Sequence, residues 1–139
     1  MTKMGMGFIL GHKYRDPGQF KLYKNALGKT IASVHLDEEE NELRFKFTDG
    51  TGLKLFDDGQ SCCESRYMTT DDDLTYYAGA KFMGVEIKEA PDIEDEEGDV
   101  HEVQFLEVKT DKGVFTMATH NEHNGYYGGF DITIKEDEV

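Results

Sequence analysis

The chain has no tryptophan, only two cysteines, and nowhere an apolar run that approaches a bilayer span. Each shortage excludes something. Without a stretch of about 20 apolar residues, no membrane-crossing helix is expected. The opening "MTKMGMGFILGHKYRDPGQF" has only a brief apolar segment, followed at once by His-Lys-Tyr-Arg, which does not read as a secretory leader. Cys62 and Cys63 are adjacent, whereas secreted scaffolds space their cysteines to close loops. A reducing, cytoplasmic compartment is therefore expected, with no disulfide framework. With no Trp, the core must come from Phe, Tyr, Val, Ile and Leu.

Positive charge is also scarce. Fifteen Lys and Arg stand against 29 Asp and Glu, a formal net charge of −14. Such a surface repels phosphate backbones and anionic headgroups over about 8 Å at physiological salt. Neither non-specific nucleic-acid binding nor membrane attachment is expected. Solubility, a basic protein partner, or occupancy of a host protein's DNA site are the uses that fit. At 139 residues the chain falls within one domain able to bury well over half of its unfolded surface, so folding requires no metal or cofactor.

What is present is alternation. "TIASVHL" sets Ala32, Val34 and Leu36 against Ile31, Ser33 and His35, and "ELRFKF" sets Leu43, Phe45 and Phe47 against charged neighbours. Asp49-Gly50 and "DDG" at 57–59 mark turns, because glycine takes the positive φ that a tight hairpin needs. "QSCCESRYM", "KFMGVEIKE", "VHEVQFLEVKT", "VFTMATH" and "GFDITIKE" continue as strands. The adjacent Phe105 and Leu106 predict a bulge or a strand buried on both faces. "TTDDDLTYYAG" predicts a helix of about two turns over 71–78, capped by Thr70 and ended at Gly79.

The expected fold is mainly β (α+β): a single compact antiparallel sheet, sandwich or partly open barrel with that one short helix. Residues 1–26 read as an irregular segment packed on the domain, with "GFIL" as an edge strand. Residues 27–135 form the β-rich domain and 136–139 an acidic tail. Between Glu89 and Glu102 lie eight acidic residues and no Lys or Arg, predicting a solvated loop.

Three constellations bear chemistry. Cys62, Cys63 and Glu64 lie together, but neighbouring strand side chains face opposite ways, so packing is the expected role of the thiols, with Arg66 serving Glu64. In "HNEHNGYYGGF" (120–130), His120 and His123 with Cys63 make an alternative zinc set. The helical "HExxH" arrangement is absent, and loop histidines are the simpler reading. Asn124-Gly125 predicts a type I′ hairpin turn, with Tyr126 and Tyr127 leaving opposite faces of the outgoing strand. His120, Asn121, His123, Asn124, Tyr126, Tyr127 and Arg66 are the candidate ligand-binding residues; no catalytic residue is assigned. The "DIEDEEGD" run fails as a calcium loop, because its glycine falls one position late and Val103 stands where glutamate is needed.

"LGKTI" (27–31), Asp49-Gly50, "DDGQSCCES" (57–65), Asp73-Leu74, Gly79 and "NGYY" (124–127), in this order, resemble a small family of unknown function encountered largely in bacteriophage and prophage genomes. The resemblance runs from about 27 to about 134. It implies a compact β-rich domain and a phage setting, and supplies no catalytic residue, cofactor or substrate. Cys62, Cys63, Glu64, Asn124, Gly125, Tyr126 and Tyr127 match its motifs. The chain departs from the pattern at His123, where a small residue such as serine is usual, and in the acidic loop.

Three functions are consistent with these residues. One is a non-enzymatic protein that binds a host protein during infection, for takeover or counter-defence. Another is a small-molecule binding protein that sequesters a nucleotide-like ligand. The third is a zinc-dependent or zinc-stabilised domain. Exposed strand edges also permit a homodimer.

Overall fold

The computed structural model describes residues 3–5, 17–59, 64–91, 93–94, 98–125 and 128–137. Among them the chain is mostly strand, in two antiparallel sheets, with no closed barrel. In chain order the elements are β1 (Lys3–Gly5), α1 (Pro17–Ala26), β2 (Ile31–Asp37), β3 (Glu42–Phe47), β4 (Gly52–Asp57), β5 (Glu64–Thr69), a 3-10 turn (Leu74–Tyr77), β6 (Phe82–Glu89), β7 (Ile93–Glu94), β8 (Val100–Thr110), β9 (Gly113–His123) and β10 (Ile132–Glu136). One sheet runs β1-β6-β8-β9-β5, with β7 added beside β8; the other runs β10-β4-β3-β2.

The sheets face each other through aromatics. Phe45 of β3 meets Phe82 of β6 edge-on at 5.3 Å and Phe115 of β9 at 6.4 Å. Leu43, Phe45, Phe47, Leu53 and Leu55 from one sheet and Val85, Leu106, Val108, Phe115 and Met117 from the other are buried. Full burial of each such side chain contributes about 1.5–3 kcal/mol. One corner is stitched shut by backbone bonds, Gly28 N–H to Phe82 O, Phe82 N–H to Lys29 O and Gly79 N–H to Ile31 O.

Several expectations need correction. The segment read as irregular holds α1. Pro17 opens it, where a missing N–H costs nothing, and Tyr23 and Ala26 bury its inner side. The Tyr23 hydroxyl accepts from Val85 N–H, and Gln19 Oε1 accepts from Ile134 N–H, so the helix is tied to both sheets. "GFIL" lies outside the described residues. In β2 a register shift between Ile31 and Ser33 breaks the expected alternation. Ile31 and Val34 are buried while Ala32 and Ser33 are exposed.

The expected slip at Phe105-Leu106 is absent. The β8–β9 register is unbroken from Val100 opposite His123 to Thr110 opposite Gly113; Leu106 is buried and Phe105 half-covered on the other face. The helix predicted over 71–78 is a single 3-10 turn capped by Asp73, whose carboxylate accepts from Thr75 N–H. Thr70 instead donates to Thr116 O, and Asp72 accepts from Thr116 N–H, which holds the preceding residues extended along β9. The acidic stretch is partly structured, since β7 pairs with the start of β8. The acidic tail is anchored as far as Asp137, which accepts from Arg44.

Asn124-Gly125 is not the turn of a paired hairpin. The strand after β9 is β10, and it pairs with β4 in the other sheet. Gly125 has φ +88, but Asn41 is the one non-glycine residue with positive φ among those described, so the two positive φ values of a type I′ turn are not met. The chain here crosses between sheets.

Candidate functional site

"HNEH" is the end of a strand, and strand geometry divides it. His120 and Glu122 leave β9 on the outer face, while Thr119, Asn121 and His123 point inward and are buried. His120 and His123 therefore cannot share one ion. That removes the zinc set that joined them with Cys63, and Cys62 and Cys63 lie outside the described residues.

The inward half belongs to a buried polar end of the sandwich. Along β9 the inner face changes from Phe115 and Met117 to Thr119, Asn121 and His123; along β8 it changes from Val108 and Leu106 to Gln104 and Glu102. Register places Arg66, Asn121 and Glu102 side by side on β5, β9 and β8. Arg66 Nη1 donates to both oxygens of Asp57, at 2.9 and 2.8 Å, and Nη2 donates to Glu64 at 2.9 Å. Burial works against the guanidinium charge. The hydrogen bonds and attraction from Asp57 and Glu64 outweigh it and raise its pKa.

Asn121 Nδ2 donates to Glu64 and to Gly129 O, at 2.9 and 3.0 Å. His123 Nε2 lies 2.6 Å from Glu102 Oε1, which also accepts from Gly129 N–H, and His123 Nδ1 accepts from Gly125 N–H. Asp57 further accepts from Gly59 N–H and Asp131 N–H, fixing the ends of β4 and β10. Among the described residues, four buried polar atoms in this strip have no partner: Arg66 Nε, Asn121 Oδ1, Thr119 Oγ1 and Gln104 Oε1. Each such group costs about 1–3 kcal/mol unless water or a ligand meets it.

The outward half is a different constellation. The Tyr67 ring stacks on His120 at 4.5 Å, nearly parallel, and its hydroxyl donates to Glu122 at 2.6 Å. That hydrogen bond, with burial and the carboxylate charge, pushes the phenol up to about 12. His120 Nδ1 lies 2.9 Å from His101 Nε2, and its Nε2 lies 2.9 Å from Thr69 Oγ1. Burial chiefly, and His101 next, lower the His120 pKa against the opposing pull of Glu122.

Glu64 of β5 stands opposite His123 of β9, so the two halves share this end of the β5–β9 pair. A protein-family model for a domain of unknown function, DUF7448, matches residues 24–132. The chain belongs to the DUF7448 family. No curated protein and no solved structure matches it. The match spans every strand from β2 to β9 and reaches the first residue of β10. The buried polar end and the outer cluster thus both lie within the DUF7448 domain.

Of the residues singled out from the sequence, Arg66, Glu64, Asn121, His123 and Gly125 join the buried end, and His120 joins the outer face. Asn124 is exposed beside both, and Tyr126 and Tyr127 lie outside the described residues. Sequence reasoning missed Asp57 and Glu102 at the buried end, and Tyr67, Thr69, His101 and Glu122 outside. A Cβ on Gly128 would stand 2.5 Å from Glu102 Oε1, so the glycine lets the crossing chain lie against the carboxylate. Elsewhere, a hollow of about 360 Å³ beside Arg44 presents a guanidinium already engaged by Asp37, Glu42 and Asp137.

Proposed function

We propose that this DUF7448 protein is a non-enzymatic binding protein of a bacteriophage or prophage, acting in the host cytoplasm on a host protein through the outer face of β5, β9 and β8. The observation that carries this reading is the division of β9. The inward groups at the motif-bearing end are turned on one another, with Arg66 spent on two carboxylates and His123 on Glu102. The outward groups Tyr67, His101, His120 and Glu122 remain on the surface of a strongly acidic chain. Half-covered Tyr and His beside exposed carboxylates suit a basic, polar contact. Among the described residues β1 and β5 are the edges of their sheet, the places where a second copy of the chain would pair.

The test is quantitative capture from host lysate with the full chain and with a Tyr67→Ala, Glu122→Lys surface variant. A partner enriched by the native chain and lost from the folded variant supports the reading. Identical profiles from both would sink it.

A small-molecule reading is favoured by the four unpartnered buried atoms. Arg66 is already held by Asp57 and Glu64, so a phosphate there would compete with two carboxylates. The described groups suit a neutral hydrogen-bonding ligand better than a nucleotide. A thermal-shift screen of neutral polar compounds against nucleotides separates the two, and no shift from either group would end this reading.

A further inference from the structure

On the outer face of the long β8–β9 pair, His101 and His120 come from adjacent strands and place two ring nitrogens 2.9 Å apart. A two-residue offset separates them along the strands, because Val103 stands opposite His120 and His101 stands opposite Glu122. Side-chain imidazoles this close have three options: share one hydrogen bond, repel as two cations, or ligate one ion. At metal–imidazole distances of about 2.0–2.1 Å, two nitrogens at a right angle lie about 2.8–3.0 Å apart, whereas a tetrahedral angle spreads them to about 3.3–3.4 Å.

Three restraints hold the pair. Thr69 Oγ1, 2.9 Å from His120 Nε2, can accept an N–H there. That leaves the Nδ1 lone pair directed at His101, the role an outer hydrogen bond plays for a ligating histidine. The Tyr67 ring lies flat against His120, and Tyr67 in turn holds Glu122 beside the pair, which keeps an anionic field on the same face. Among the described residues no set of three His, Cys, Asp or Glu is ready-made for an ion, so from these residues the site offers two protein ligands and leaves the other positions to water.

We propose that His101 and His120 form a surface site for a divalent transition ion that favours imidazole and right-angled ligation, nickel(II) or copper(II), rather than a tetrahedral zinc centre. Ligation replaces the hydrogen bond between the rings. The His101 proton moves from Nε2 to Nδ1, both imidazoles stay neutral, and the rings tilt without the strands moving. The site uses neither Cys63 nor His123, and it shares the outer face proposed above for a protein partner, so nickel binding by the isolated chain is read apart from that proposal.

Nickel(II) titration of the full chain by calorimetry tests this. One ion per chain is expected, with His101→Ala and His120→Ala each weakening binding by at least about tenfold and Thr69→Val weakening it less. His35→Ala, which alters an exposed histidine of β2, should leave binding unchanged. Circular dichroism without metal confirms that the variants fold, and His101→Asn serves if His101→Ala does not. Paramagnetic broadening should reach the His101 and His120 ring signals before that of His35. Undiminished nickel binding in both folded variants, with the ion held by the thiols or elsewhere, would overturn the proposal.

Discussion

Arg66 on β5 grips Asp57 on β4 through a single nitrogen that contacts both carboxylate oxygens, and this charged contact joins the two sheets at their polar end. Both side chains are nearly buried, at 9% and 4% exposure. Removing the cation leaves Asp57 and Glu64 buried without it, so Arg66→Ala should cost about 3–5 kcal/mol, and Arg66→Lys should recover only part because it lacks the planar fork. Urea unfolding measures this. In a double-mutant cycle, Arg66→Ala with Asp57→Asn should cost clearly less than the two single changes added; additivity would mean that the pair is not coupled.

Gly128 lies where the crossing chain rests on Glu102 and His123. A methyl group there meets Glu102 Oε1 at 2.5 Å and His123 Nε2 at 3.0 Å, and neither atom is free to swing away, since they hold each other at 2.6 Å. Gly128→Ala should therefore destabilise by about 1–3 kcal/mol as an overpacked site. Unchanged urea unfolding would show that the pair yields.

The sheets were legible in the sequence where one face is wet. "ELRFKF" alternates as written, and Leu43, Phe45 and Phe47 are buried. The Asp49-Gly50 turn is in place, with Gly50 at φ +89. Legibility failed where polar residues enter the interior. Nothing local to Asn121 or His123 says that they point inward, because their partners Glu64, Glu102 and Gly129 are 8 to 57 residues away and arrive only through strand register and the connection that follows β9. The same holds for Tyr67 and Glu122, 55 residues apart. Asn124-Gly125 misled for the converse reason. It is a local turn signal overridden by the pairing of β10 with β4.

Tyr67 should be the last of its neighbours to ionise. Its hydroxyl is held by Glu122, and the phenol is pushed up to about 12. A raised acid pKa means that the folded state keeps its proton while the unfolded state loses it near the ordinary value of about 10. The stabilisation is thus present below pH 10 and lost as pH rises toward 12. Glu122→Gln removes the anion and should return Tyr67 toward 10. Difference spectra of the phenolate against Tyr67→Phe read this directly, and an unmoved titration would mean that Glu122 does not hold it.

His120 gives stability the opposite dependence on pH. Its pKa is lowered from 6.5, chiefly by burial and then by His101, so the unfolded chain takes up a proton at a pH where the folded chain resists it. The contribution is present above about pH 6.5 and lost as pH falls through the depressed folded value. Geometry gives the same sign, since protonating both rings would set two N–H groups against each other across 2.9 Å. With chelator present to keep the pair metal-free, urea unfolding at about pH 8 and about pH 5 should show a loss of stability on acidification. That loss should be smaller in His120→Gln, which carries no titrating ring. An equal loss in the two proteins would place the acid sensitivity in other groups.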